Sequence, residues 1–216
     1  MYEDELRSRR YYEGRARWYD RANRLAAFLR GTSAPRERLK AIARLRLTPG
    51  DRVLEVSCGT GTNLLLMQEA PGGAGSLTGL DISRGMLVRC RAKAASSGVV
   101  VRLIEAEAAH LPFDEGAFDA VFHHGGLAEF GDTAGALAEM SRVAKDGARI
   151  VVCDVGVPTD HRLPLMSRLL LRTQPVYRKP PPIDLLPPGM QDVRLDWFGG
   201  GGWYLLEYTN ALSGDR

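Results

Sequence analysis

The 216-residue chain is long enough to bury the core of one domain, and its 44% hydrophobic and 25% charged residues are ordinary for a globular protein. The net charge is only +3, but residues 1–50 hold 13 Lys and Arg against 6 Asp and Glu. Such a basic segment can meet an anionic partner or can simply be a solvated helical face. No apolar run reaches the roughly 18–20 residues that span a bilayer, and the first residues lack the pattern of a secretory signal.

Strands alternate with helices along the sequence. The first 47 residues look helical and amphipathic, with a break near residues 31–35. The elements predicted after them are strands at 52–56, 76–80, 99–104, 118–122 and 148–155, helices at 64–70, 86–96 and 133–144, and two closing strands over 194–209. This order predicts right-handed βαβ units, a mostly parallel sheet covered on both faces, and a hairpin at one edge.

The three cysteines, Cys58, Cys90 and Cys153, are scattered and odd in number. This pattern favours free thiols in a reducing cytoplasm over a disulfide framework or a zinc site. We therefore expect a cytoplasmic protein without a metal site.

A glycine loop follows the first predicted strand. Gly59 and Gly61 let a ligand approach the backbone and permit positive φ angles, and the helix behind them offers N–H groups to an anion. A dinucleotide site would need a third glycine where Leu64 stands, and Glu55 would repel a pyrophosphate. Glu55 would instead attract an α-amino group, which favours S-adenosylmethionine (SAM). A purely structural glycine turn is the alternative.

An acidic residue, Asp81, closes the second predicted strand. It follows Glu55 by 26 positions, and an acidic residue placed there suits the two hydroxyls of a ribose. Taken alone, Asp81 is equally suited to cap the next helix. Together with the glycine loop it strengthens the prediction of a SAM site.

In this order, the motifs resemble those of class I SAM-dependent methyltransferases. The similar branch includes ubiquinone- and menaquinone-type C-methyltransferases and small phospholipid or natural-product methyltransferases. The resemblance runs from about residue 19 to residue 155, and it rests on residues 53–61, 77–83, 107–113, 118–122 and 137–147. It implies a Rossmann-like α/β fold with a mostly parallel seven-stranded sheet, helices on both faces and a C-terminal antiparallel hairpin. It also implies SAM as cofactor and S-adenosylhomocysteine as product.

The same resemblance implies a role for individual residues at the methionine end of SAM. Glu55 and the backbone of Gly59 and Gly61 would hold that end. Ser57 stands where the family has its first loop glycine. Tyr19, in a Tyr-Asp pair typical of the N-terminal lid in quinone-type enzymes, would cover the cofactor.

At the nucleoside end, the resemblance implies that Asp81 binds the ribose and that Ile82 packs on the adenine. The adenine amino group would lie near Glu107 and Ala108. Glu107 replaces an Asp that is frequent in the family, so its side chain is one methylene longer.

Two adjacent histidines follow the fourth predicted strand. The resemblance places His123 in the cleft beside the transferable methyl group. Methyl transfer is an in-line displacement that depends on positioning, but an acceptor that loses a proton also needs a base. His123 and His124 are the candidate bases because histidine titrates near neutral pH. The alternative is that both are ordinary loop residues, one of them buried and hydrogen-bonded.

The chain divides into four predicted segments: an N-terminal helical lid (1–47), a SAM-binding core (48–157), a proline-rich substrate cap (158–190) with eight of the twelve prolines, and a C-terminal hairpin of the same domain (191–216). We expect a small, hydrophobic acceptor such as a quinone precursor, a lipid or a secondary metabolite. A peripheral contact with a membrane surface stays open. No nucleic-acid partner is expected, since the Asn/Asp-Pro-Pro-Tyr/Phe signature is absent after the fourth strand. Transfer of the aminocarboxypropyl group of SAM, or a non-catalytic regulatory role, are the alternative functions.

Overall fold

The computed structural model describes residues 13, 34–70, 73–158, 178–198 and 202–211. In chain order the elements are α1 (Ala34–Ala43), β1 (Arg52–Val56), α2 (Thr62–Glu69), β2 (Ser76–Asp81), α3 (Arg84–Ser96), β3 (Val101–Glu105), β4 (Phe118–His124), α4 (Thr133–Val143), β5 (Ala144–Val155), β6 (Gln191–Phe198) and β7 (Trp203–Thr209), with 3-10 turns at Leu127–Glu129 and Ile183–Leu185. Tyr19 and residues 159–177 lie outside the described residues.

The seven strands form one sheet in the order β3-β2-β1-β4-β5-β7-β6. Strands β1 to β5 are parallel to their neighbours, whereas β7 runs antiparallel to both β5 and β6. This is the predicted fold, with its hairpin at one edge. The strand order reverses between β1 and β4, and ligands of open parallel sheets bind at the carboxyl ends of the strands beside such a reversal.

Alternate residues of the central strands face two separate cores. One side of the sheet, which we call the α1 face, packs Val53, Phe122 and Cys153 against α1, α2 and α3. The other side, the α4 face, packs Val121 and Val152 against α4. Helices therefore cover both faces, as the buried, near-continuous hydrophobic strands require.

Several strand boundaries differ from the sequence prediction by one to four residues, among them those of β4 and β5. β4 continues to His124, so both histidines belong to the strand and do not follow it. β5 begins at Ala144 because Ala144 pairs with Phe118 before a bulge at residues 145–148. The side chain of Asn210 stabilises that bulge by donating to the carbonyl of Ala144 at 2.8 Å.

The three cysteines are free, as predicted, and all three are buried. Cys58 and Cys90 lie in the core of the α1 face next to the glycine loop, and Cys153 lies in the same core on β5.

Candidate cofactor and acceptor site

The loop between β1 and α2 has left-handed backbone at Ser57 (φ 59°), Gly59 (φ 54°) and Gly61 (φ 77°). A side chain at Gly61 would collide with the Sγ of Cys90, so Gly61 lets α3 pack against the loop. A side chain at Gly59 would meet nothing within 4 Å. Gly59 therefore borders open space, whereas Ser57 holds a conformation that costs most residues roughly 1–2 kcal/mol.

The amide groups of both glycines already have partners within the protein. The Gly59 N–H donates to Oδ2 of Asp81 at 2.8 Å, and the Gly61 N–H donates to the carbonyl of Cys58 at 2.9 Å. Helix α2 starts directly behind them without a side-chain cap. The glycines thus supply room for a ligand, and the start of α2 supplies the positive end of a helix dipole.

Glu55 lies at the carboxyl end of β1 and is fully buried. Its Oε1 accepts a hydrogen bond from Nδ2 of Asn63 at 2.5 Å, and Oδ1 of Asn63 accepts one from Nη1 of Arg38 at 2.6 Å. Oε2 of Glu55 has no hydrogen-bond partner among the described residues. Burial raises the pKa of Glu55 from 4.5 to about 8, although Asn63 and Arg38 act in the opposite direction.

Sequence reasoning missed Arg38 and Asn63. Asn63 directly follows the glycine loop, so its position on the first turn of α2 is a usable signal. Arg38 carries no such signal, because it reaches the site only through the packing of α1 against α2.

Asp81 lies at the carboxyl end of β2, next to the glycine loop. Its Oδ1 accepts a hydrogen bond from the Ser83 N–H at 2.8 Å, and its Oδ2 accepts the one from the Gly59 N–H. The cap of α3 is Ser83, whose hydroxyl accepts from the Met86 N–H at 3.3 Å. The helix-cap alternative for Asp81 is therefore not observed, and each carboxylate oxygen keeps a lone pair for a ribose hydroxyl.

Glu13, in the N-terminal part of the chain, lies close to Asp81 and contacts the start of α3. Its Oε1 accepts a hydrogen bond from the Gly85 N–H at 3.2 Å. Burial raises the pKa of Asp81 to about 6, and the charge of Glu13 adds to this shift.

The predicted adenine residues lie at the same edge of the sheet. Asp81 pairs with Glu105 at the end of β3, and Glu107 and Ala108 follow within three residues. Oε2 of Glu107 lies 3.7 Å from Nδ1 of the exposed His110. Ile82 is half-buried.

His123 and His124 point to opposite faces of the sheet because they are consecutive residues of one strand. Nδ1 of His123 lies 3.0 Å from the carbonyl of Val56. A carbonyl only accepts, so Nδ1 carries the proton and Nε2 keeps its lone pair. That Nε2 is buried and has no partner in the described part of the chain. Burial lowers the pKa of His123 to about 4.

The ring of His124 lies on the α1 face, 5.1 Å from the ring of Trp203 and inclined to it by 32°. Burial also lowers the pKa of His124 well below its usual range, and the charge of Arg38 contributes. Both histidines are therefore neutral at pH 7, and they cannot share one proton-transfer step.

Comparison with known proteins identifies the chain. Residues 53–147 match the family model described as a methyltransferase domain. The chain is 37% identical over 151 residues to a demethylmenaquinone methyltransferase of Thermus thermophilus, an alignment that covers 70% of this chain and 67% of the relative. The chain belongs to the class I SAM-dependent methyltransferases. SAM is accordingly the cofactor of this methyltransferase.

Solved structures agree on the fold of the methyltransferase. A phosphoethanolamine N-methyltransferase of Haemonchus contortus in complex with SAM has a TM-score of 0.68 and 15% identity, over 82% of this chain and 52% of that one. The cyclase SpnF has a TM-score of 0.63 and 18% identity, over 84% and 82% of the two chains.

Three features of this structure fit SAM. The unpartnered Oε2 of Glu55 suits the α-amino group, the free lone pairs of Asp81 suit the ribose, and the open space at Gly59 admits the ligand.

In the described part of the methyltransferase, no helix is long and apolar enough to cross a bilayer. Within the same residues, no three His, Cys, Asp or Glu side chains are grouped as a metal site requires.

The C-terminal hairpin adds aromatic rings to the same edge, and strand alternation separates them into two sets. Trp203 and Phe198 are half-buried on the α1 face, with ring centroids 6.1 Å apart. Trp197 and Tyr204 pack with each other at 6.1 Å on the α4 face. The four aromatics therefore do not line one wall. Trp203 and Phe198 continue a row of rings from His124.

Another buried carboxylate, Asp154, lies near the end of β5. Its Oδ2 accepts from the Ala128 N–H at 3.0 Å, and Nζ of Lys179 donates to the carbonyl of Ala128 at 2.9 Å. The Val157 N–H donates to the carbonyl of Lys179 at 3.3 Å. These bonds tie the loop after β4 to both flanks of residues 159–177. Asp154 was missed by sequence reasoning, although an acidic residue at a strand end was the signal that identified Asp81.

Proposed function

We propose that this methyltransferase moves the methyl group of SAM to a small hydrophobic acceptor with an aromatic ring, and that a reduced quinone precursor is the first candidate. The arrangement that supports this proposal is the division of the carboxyl edge of the sheet. Carboxylates and glycines occupy the ends of β1 and β2. A half-buried row of rings, His124, Trp203 and Phe198, occupies the end of β4, the start of the antiparallel strand β7 and the end of β6.

SAM supplies an activated methyl group on a sulfonium, and the protein has to hold the two reactants in line. Asp81 and Glu55 would hold the two ends of the cofactor at the carboxyl ends of β2 and β1, and β1 is the neighbour of β4 in the sheet. The burial of both carboxylates keeps water out of this region and strengthens their electrostatic contacts.

His123 lies on the α4 face, so an acceptor whose ring contacts the aromatic row on the α1 face would have to extend over the carboxyl edge of the sheet to donate a hydroxyl to it. Its Nε2 is an unpartnered hydrogen-bond acceptor among the described residues. When a hydroxyl on the acceptor's aromatic ring donates a hydrogen bond to Nε2, that ring becomes more electron-rich. Because burial lowers the pKa of His123 to about 4, it polarises the hydroxyl as a neutral imidazole and is a weak proton acceptor. His124 instead contributes its ring to the aromatic row.

The proposed N-terminal lid (1–47) and substrate cap (158–190) complete the site. The hydrogen bond between Glu13 and Gly85 supports the first assignment, since it places part of the N-terminal segment beside Asp81. The contact of Lys179 supports the second, since it ties residue 179 of the proposed cap to the loop after β4. The basic N-terminal segment also suits a peripheral contact with a membrane, from which a lipophilic acceptor would be taken.

The test is to incubate the full chain with isotopically labelled SAM and a short-chain demethylmenaquinol, and to identify products by mass spectrometry. We expect the acceptor to gain one labelled methyl group and S-adenosylhomocysteine to form in equal amount. If the acceptor gains an aminocarboxypropyl group, the protein catalyses the alternative reaction and methyl transfer is refuted. SAM binding without any product from a panel of quinols, phenols and lipids would refute the proposed acceptor class.

A further inference from the structure

Three side chains from three elements form a hydrogen-bonded chain that ends at the cofactor site. Arg38 of α1 donates to Asn63 of α2, and Asn63 donates to Glu55 of β1. The chain stops at Oε2 of Glu55, which is buried and has no partner among the described residues. A buried polar atom without a partner is costly, so this oxygen marks a place for a ligand that donates a hydrogen bond.

Arg38 determines which way the amide of Asn63 points. A guanidinium only donates hydrogen bonds, so it fixes Oδ1 of Asn63 toward α1 and leaves Nδ2 directed at Glu55. Without Arg38, the amide is free to turn and present its oxygen to Glu55, an arrangement that disfavours the carboxylate form that SAM binding requires. Arg38 therefore acts on Glu55 through Asn63.

We propose that Arg38 and Asn63 are positioning residues that aim Oε2 of Glu55 at the α-amino group of SAM, and that SAM binding expels the proton carried by Glu55 in the free protein. This inference rests on the proposed use of SAM. The step is balanced: the Glu55 carboxylic acid and the cofactor ammonium form a carboxylate–ammonium pair, and one proton passes to the solvent.

The groups around Glu55 explain why its carboxyl group carries a proton in the free protein. Burial is the largest influence and favours the neutral acid. Asn63 on α2 and Arg38 on α1 favour the carboxylate, whereas Cys90 on α3 and Asp81 on β2 oppose it. The result is a pKa of about 8, so most molecules of the free protein carry the proton at pH 7.

The experiment is calorimetry of the full chain with SAM at pH 7 in phosphate and in Tris, two buffers with different ionisation enthalpies. The difference in heat counts the protons released on binding. We expect close to one proton per SAM for the wild type, and an affinity that rises several-fold from pH 7 to pH 8. Glu55→Gln should abolish the proton release and weaken binding.

Arg38→Met should weaken SAM binding at pH 7 on the order of tenfold and shift the pH dependence of affinity upward, because the charge that favours the carboxylate is lost. Arg38→Lys, which keeps a donor and the charge, should restore most of the affinity. Arg44→Met is the matched control. Arg44 lies just after the same helix but pairs with Asp196 and Glu207, so its loss should leave the proton count and the pH profile unchanged.

The outcomes separate the two proposals. SAM binding without proton release, or an Arg38→Met profile that matches the wild type, would overturn this inference and leave the methyltransferase proposal intact. Absence of any heat with SAM would overturn both. If Arg38→Met does not fold, Asn63→Leu is the substitute variant. It removes the amide that donates to Glu55, so SAM affinity at pH 7 should fall in the same way.

Discussion

Replacing Asp81 with Ala is the most direct perturbation of the nucleoside end. The carboxylate joins two loops, since it holds the N–H groups of Gly59 and Ser83 at 2.8 Å each. Hydrogen bonds to a charged group contribute about 1.5–3 kcal/mol. Loss of one such bond to the ribose, together with a looser glycine loop, should weaken SAM binding at least tenfold, which corresponds to about 1.4 kcal/mol.

Calorimetry with SAM gives the affinity, and thermal unfolding of the free protein shows whether the variant is folded. Asp132→Ala is a suitable control, because Asp132 also accepts a backbone N–H, that of Gly135 at 2.7 Å, but does so at the start of α4. It should lose about 1 kcal/mol of stability, as helix caps do, and keep its SAM affinity. A folded Asp81→Ala protein that binds SAM as tightly as the wild type would refute the ribose assignment.

Three further predictions address the loop, the pH dependence and the aromatic row. Ser57→Gly should raise the free energy of unfolding by about 1 kcal/mol, because Ser57 has a φ of 59°; a lower melting temperature would contradict this. Glu55 binds its proton more tightly in the folded state, where its pKa is about 8, than in the unfolded chain, so the free protein should lose stability as pH rises from about 4.5 to 8. Glu55→Gln should flatten this slope, and an unchanged slope in denaturant titrations would show that Glu55 ionises normally. Trp203→Ala should raise the KM for an aromatic acceptor several-fold with little change in SAM affinity, whereas Trp197→Ala, on the opposite face of the hairpin, should not; equal effects on KM would exclude the aromatic row as the acceptor site.

The fold and the placement of Glu55 and Asp81 at one edge of the sheet could be predicted because their signals are local. Glu55 and Asp81 each close a short hydrophobic strand, and parallel strands bring their carboxyl ends to one edge. The role of Gly61 could not be predicted in the same way. A side chain at Gly61 would collide with Cys90 of α3, and this contact depends on how the loop and α3 pack together.

The two histidines show how an element boundary affects a functional prediction. With the fourth strand ended at residue 122, His123 and His124 become neighbours in one cleft. The strand in fact continues through both, and its two-residue period sends them to opposite faces. Arg38 illustrates the other limit, since nothing in the helical pattern of α1 distinguishes it from the arginines around it.

The hydrogen bond between Val157 and Lys179 brings together the two points at which the chain leaves and rejoins the sheet region. A segment whose ends already meet can change in length and composition at little entropic cost to the rest of the domain. Residues 158–178 can therefore be regarded as an exchangeable module. On the proposed assignment of this segment to a substrate cap, grafting the corresponding segment from a relative should alter which acceptor is methylated and leave SAM affinity unchanged.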